Sequence, residues 1–104
     1  MSTIFKLQPE PTFKADVFIP QPGGETAVLG VTFRHQTIKT LSAFEHQADK
    51  SAADLLAVII SEWALPEPCT LESMEVLLDN YPGAMQAIMK TYYEELTGNH
   101  EKNS

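Results

Sequence analysis

Few residues of this chain have types and spacings that could support catalysis or metal binding. The three histidines, His35, His46 and His100, fall in three different segments, and the single cysteine, Cys69, stands apart from them. No pair of these residues has the spacing of metal ligands. We therefore expect no metal, no cofactor and no enzymatic activity, and we interpret Cys69 as a small apolar residue that leads into a helix.

A phosphate-binding loop and a catalytic carboxylate pair are also poorly supported. The Gly23-Gly24 pair is not followed by the Lys-Ser/Thr that completes a phosphate loop. Glu72, Glu75 and Asp79 share one side of a predicted helix, but nothing near them suggests the water-poor cleft that catalytic carboxylates need. We interpret these three acids as a solvated helix face.

The net negative charge of the chain arises entirely from its second half. The formal net charge is −7; residues 1–50 contain five acids and five bases, whereas residues 51–104 contain nine acids and two bases. Binding to nucleic acid or to anionic lipid needs a basic surface, so we expect neither partner. The sequence shows no signal peptide and no stretch long enough to cross a bilayer, and we expect a cytoplasmic protein.

Two segments in the first third of the chain alternate between apolar and polar residues, as half-buried strands do. The apolar faces comprise Phe13, Ala15, Val17 and Ile19 in the first segment, and Ala27, Leu29, Val31 and Phe33 in the second. A loop rich in Pro and Gly joins the segments, which predicts an antiparallel β-hairpin over residues 12–34. Phe18 and Val28 fall on the otherwise polar faces, and we expect a neighbour to cover them.

Helical spacing replaces the alternation after His35. It predicts one helix over about Thr37–Ala48 and a second over Ser51–Leu65, which opens with a capping box. A third helix starts after the Thr70 cap, and a fourth ends near Gly98. The predicted fold class is α+β, with an N-terminal antiparallel β-hairpin followed by about four α-helices.

This length and composition indicate one domain over residues 1–104. We divide it into an extended arm (1–11), the hairpin (12–34), a helical part (37–97) and a polar tail (98–104). Because a two-stranded hairpin is marginal on its own, it must pack on the helices or be extended by another chain. The sequence therefore indicates assembly.

Apolar residues cover more than half of the predicted helix that contains Leu55–Trp63, so this helix is either central or in contact with a partner chain. Tyr93 lies at the edge of the apolar stripe of the last helix. The residues that we predict to contact a partner or a second copy are Phe18, Val28, Leu56, Ile60, Trp63 and Tyr93.

The order of several short motifs resembles that of the tail assembly chaperones of long-tailed, non-contractile, lambda-like bacteriophages and prophages. These motifs span roughly residues 12–103 and comprise Pro22–Gly24, Val31–His35, Trp63, Leu77–Ala84 and Lys102–Asn103. The resemblance implies a protein without catalytic activity that binds the tape measure protein, and the tail tube protein as well, during tail assembly.

The same resemblance implies a homo-oligomer, in the form of a ring or a spiral, that works in the host cytoplasm and is absent from the mature virion. It also implies that a longer form can arise by ribosomal frameshifting. An alternative reading is a small acidic phage-encoded inhibitor or DNA mimic, which the charge of −7 favours. The acids do not form a regular ladder, however, so we prefer the assembly chaperone.

Overall fold

The computed structural model describes residues 4–47 and 49–98. Within these residues the chain forms a three-stranded antiparallel sheet in the order β1-β2-β3, together with four helices. The elements are β1 (Thr12–Pro20), β2 (Thr26–Arg34), α1 (Ile38–Glu45), α2 (Ala52–Ile59), β3 (Ile60–Trp63), α3 (Leu71–Asn80) and α4 (Ala84–Thr97). The α+β class, with a hairpin followed by four helices, is confirmed.

The apolar and polar side chains of the hairpin lie on the two faces of the sheet that the sequence predicted. Phe13 lies opposite Phe33, and Val17 lies opposite Leu29, so the apolar positions of β1 and β2 share one face of the sheet. That face is buried toward the helices. The loop between the strands reverses direction at Gly23 and Gly24, whose φ values of 93° and 92° suit residues without a Cβ.

The prediction of a single helix over Ser51–Leu65 is wrong in its second half. The helix ends at Ile59, and Ile60–Trp63 form β3, which pairs antiparallel with β2 and places Ile60 opposite Phe33. The β-branched run Val58–Ile60 favours extended backbone more than its apolar spacing suggests. The chain therefore supplies its own third strand, and the hairpin is extended within one molecule.

Ser51, Thr70 and Gly98 cap helices as predicted, and Thr37 caps the start of α1 as well. The hydroxyl of Thr37 accepts a hydrogen bond from the backbone of Thr40, and Ser51 and Asp54 form a complete capping box. Hydrogen bonds from the backbone N–H of Ser51 and, to a smaller extent, from its hydroxyl to the Asp54 carboxylate lower the pKa of Asp54 below its ordinary value. At the other end of the helical part, Gly98 adopts φ 70° and stops α4.

The first helix is shorter than predicted, since it ends at Glu45 with His46 as its C-cap. The predicted endpoint at Ala48 lies outside the described residues. The same is true of His100, of the tail beyond Gly98 and of the Lys102–Asn103 motif.

The core lies between the inner face of the sheet and the helices, with Leu41 contributed by α1. The largest side chains that are fully buried there are Val17, Phe33, Leu56, Ile59, Ile60, Met74, Ile88 and Tyr92. Helix α4 lies along β1, and α2 packs against α3. This arrangement leaves the outer face of the sheet, one side of α3 and the N-terminal arm uncovered by the rest of the chain.

Candidate interaction surfaces

Arg34 fixes the point at which α2 changes into β3. Its Nη1 donates hydrogen bonds to the carbonyl oxygen of Ala57 at 2.9 Å and to that of Ile60 at 2.8 Å. The last carbonyls of a helix have no partner within the helix, and a cationic donor stabilises them. The arginine of the Val31–His35 motif is therefore a structural anchor that ties the end of β2 to the second helix.

Hydrogen bonds of Tyr92 and Gln36 connect this same region to α4. The Tyr92 hydroxyl accepts a hydrogen bond from the backbone N–H of Gln36 at 3.1 Å and donates one to the carbonyl oxygen of Arg34 at 3.0 Å. The Gln36 side chain donates to the carbonyl oxygen of Val58 at 2.8 Å. Burial raises the pKa of the Tyr92 hydroxyl above its ordinary value, so the hydroxyl is protonated and able to donate at neutral pH.

We expect Tyr92→Phe to lower the free energy of unfolding by about 1–3 kcal/mol, because the backbone groups of Gln36 and Arg34 would lose a buried partner. Urea unfolding followed by circular dichroism measures the change. Tyr93→Phe is the matched control, since none of the described hydrogen bonds involves the Tyr93 hydroxyl. Equal stability of the two variants would show that the Tyr92 bonds contribute nothing.

Gly83 allows the turn between α3 and α4 to lie against the end of β1. A Cβ added at Gly83 would lie 2.7 Å from Cγ of Pro20, which is too close for a rigid ring. The Leu77–Ala84 motif and the Pro20 end of the hairpin thus meet at one junction. This junction places the start of α4 against the end of β1, the strand along which α4 packs.

Phe18 and Val28 form an apolar pair on the outer face of the sheet, hereafter the outer-face pair. They lie directly opposite each other in the β1–β2 ladder. Their side chains are 59% and 58% exposed, although this face is otherwise mainly polar. The two adjacent side chains thus form a small apolar patch on this polar face.

The other residues predicted to contact a partner are less accessible. Leu56 and Ile60 are 0% and 2% exposed in the core of the chain itself, so the wide apolar arc reflects a central position. Tyr93 is partly buried with its ring edge-on to Tyr92 at 5.6 Å. Trp63 is also partly buried, and its indole N–H donates to the carbonyl oxygen of Glu67 at 2.9 Å.

Trp63 contributes to a groove that the sequence did not reveal, hereafter the α3 groove. The groove has a volume of about 380 Å³ and lies between α3 and the loop that follows β3. Its lining consists of Trp63, Leu65, Glu67, Ser73, Val76, Leu77, Asn80 and Tyr81. Residues 73, 76, 77 and 80 recur at helical spacing, so they present one side of α3 to the groove. Val76 is 56% exposed there.

The N-terminal arm carries a second apolar surface that sequence reasoning missed. Ile4, Phe5 and Leu7 are 84–86% exposed and make no contact with the core. The arm joins the sheet where the backbone N–H of His35 donates to the carbonyl oxygen of Pro11 at 2.9 Å. Over the described residues 4–11 the chain forms no helix or strand, and its apolar side chains are available to another molecule.

The residues that were considered for catalysis are not grouped. Among the described residues, no three His, Cys, Asp or Glu side chains are placed to hold a metal ion. Burial raises the pKa of the Cys69 thiol, although Arg34 opposes this, so the thiol is protonated at neutral pH and a poor nucleophile. Glu72, Glu75 and Asp79 are all exposed on α3. None of the helices in the described residues is long and apolar enough to span a bilayer.

These observations define a small α+β protein whose distinctive surfaces are apolar and exposed, as in proteins that bind other proteins. The chain belongs to a family of phage tail assembly chaperones, whose sequence model matches residues 1–103. The resemblance drawn from the ordered motifs is thereby confirmed. No curated protein and no solved structure gives a significant match to this chain. Membership of a chaperone family suggests a non-enzymatic role.

Proposed function

We propose that this chaperone binds the tape measure protein, and the tail tube protein as well, during tail assembly, and that it acts as a multimer. It does so in the host cytoplasm, without a cofactor, and is left out of the mature virion. The observation that carries the proposal is the family match over residues 1–103. This match favours an assembly chaperone over an acidic inhibitor or a DNA mimic.

The outer-face pair is the surface that we assign to the client. Phe18 and Val28 lie side by side on the face of the sheet opposite the core. They can be covered by an apolar surface of the client without any rearrangement of the fold. Contacts of this size are individually weak, but several linked subunits on one long client would bind with a much higher overall affinity.

Co-expression with the tape measure protein of the same phage tests this assignment. We expect the double variant Phe18→Ser, Val28→Ser to recover at least about tenfold less tape measure protein by co-purification, because two exposed apolar side chains are removed. The variant should remain folded, since neither side chain belongs to the core.

Ile38→Ser is the matched control, because Ile38 is also a large exposed apolar residue but lies on α1. This variant should recover the tape measure protein as the unmodified chain does. If the outer-face double variant recovers the normal amount of tape measure protein, the client does not bind this face. Failure of the unmodified chain to recover the tape measure protein would refute the proposed client itself.

A further inference from the structure

We propose that the N-terminal arm of one copy docks in the α3 groove of a second copy, so that subunits associate head to tail. This inference deepens the multimer of the proposed function and rests on it. The occupant of the groove is the segment Ile4–Leu7, and its anchors are Phe5 and Leu7. In an extended chain these two side chains point to the same side, so they can enter one groove together.

The positions of the arm and the groove favour contact between copies over contact within one chain. The arm enters β1, which is one edge of the sheet, at the end where Thr12 lies opposite Arg34. The groove lies beside β3, the other edge, and includes Tyr81, which is close to the junction between Gly83 and Pro20. The two surfaces thus occupy opposite edges and tend toward opposite ends of the sheet.

Charge also distinguishes the arm from the groove. Residues 51–89 contain acids but no Lys, Arg or His, and Glu67 lines the groove itself. The arm carries Lys6, whose ammonium lies 3.0 Å from the carboxylate of Glu10 in an exposed ion pair. Such exposed pairs contribute little to stability, so Lys6 can exchange this partner for an acid beside the groove.

The arm is suited to docking because its freedom is already limited. Pro9 and Pro11 fix φ at two of its positions and lie between the apolar residues and the start of β1. Less conformational entropy is therefore lost when the arm is ordered on a partner. The arm and the groove are different surfaces, so their contact is heterologous and generates a ring or an open helical chain.

Sedimentation velocity of the full chain and its variants tests the inference. The double variant Phe5→Ser, Leu7→Ser has a defective arm and an intact groove, whereas Val76→Glu has a defective groove and an intact arm. We expect each variant alone to self-associate at least about tenfold more weakly than the unmodified chain, owing to the lost apolar burial. Circular dichroism should show both variants folded, because all three residues are exposed.

A mixture of the two variants is the decisive sample. One arm and one groove remain intact in the mixture, so we expect a species of two chains and nothing larger. A mixture that stays monomeric, or a single variant that associates normally, would overturn the inference. Ile38→Ser is the matched control, because Ile38 is exposed on α1 outside both surfaces, and this variant should self-associate as the unmodified chain does.

The same samples separate this inference from the proposed client. An unmodified chain that remains monomeric overturns the head-to-tail contact, while recovery of the tape measure protein is measured independently by co-purification. If Val76→Glu abolishes recovery of the tape measure protein but leaves self-association intact, the groove binds the client and the inference is refuted.

Discussion

Leu56→Glu is expected to unfold the protein. Leu56 has no exposed surface and lies in α2 among the largest buried side chains of the core. Burial of an ionised carboxylate without a partner costs several kcal/mol, and domains of this size are stable by only about 5–15 kcal/mol. Circular dichroism and a thermal melt should show loss of the cooperative transition, or a midpoint lowered by well over 10 °C (about 4–8 °C per kcal/mol).

Ile38→Glu is the matched control for this experiment, because it introduces the same carboxylate at an exposed position of α1. Its thermal midpoint should stay close to that of the unmodified chain. A Leu56→Glu variant that melted with an unchanged midpoint would place Leu56 on the surface. Leu56 would then again be a direct candidate for contact with a partner.

Phe33→Ala is expected to lower the free energy of unfolding by about 3–5 kcal/mol. Phe33 is fully buried, with its ring centroid 5.1 Å from that of Tyr92 and 5.6 Å from that of Phe13. Truncation removes one ring of this aromatic cluster and leaves a cavity between β2 and α4. Urea unfolding of the full chain measures the loss.

Phe18→Ala makes the same chemical change on the other face of the same sheet. Phe18 is exposed and lies outside the core, so we expect its replacement to change the free energy of unfolding by less than about 1 kcal/mol. Comparable losses in the two variants would contradict the assignment of inner and outer faces. The pair therefore tests the register of the hairpin as well as the packing of Phe33.

Much of the fold could be predicted because local signals determine it. The alternation of residues 12–19 and 27–34 assigned the correct faces to both strands, and the Gly23-Gly24 turn fixed their pairing. Ser51 and Thr70 marked the starts of two helices, because their hydroxyl groups bond to the backbone a few residues ahead. These interactions are visible in short stretches of sequence.

The third strand could not be predicted in the same way. Residues 55–63 have apolar side chains at spacings that suit a helix, and the change to extended backbone depends on distant partners. Arg34 binds the carbonyl oxygens of Ala57 and Ile60, and β2 pairs with β3. Neither contact has a counterpart in the local sequence.

The candidate surfaces were predictable where strand alternation decides exposure, and unpredictable elsewhere. Phe18 and Val28 could be placed on the polar face from the alternation of side chains along each strand alone. The wide apolar arc around Leu56 suited a core position and a partner contact equally well. Only the packing of α2 against the sheet shows that Leu56 belongs to the core. The apolar residues of the arm have no periodicity, so the sequence offered no pattern that would single them out.

The position of β3 in the chain has a consequence for the order of folding. During synthesis β1 and β2 can pair early, but the free edge of β2 stays open until Ile60–Trp63 emerge. An isolated hairpin is only marginally stable, and a contact between residues far apart in sequence forms slowly. The nascent chain therefore exposes a β2 edge that can pair with other chains, and this risk ends only when the second helix has been made and the strand after it closes the sheet.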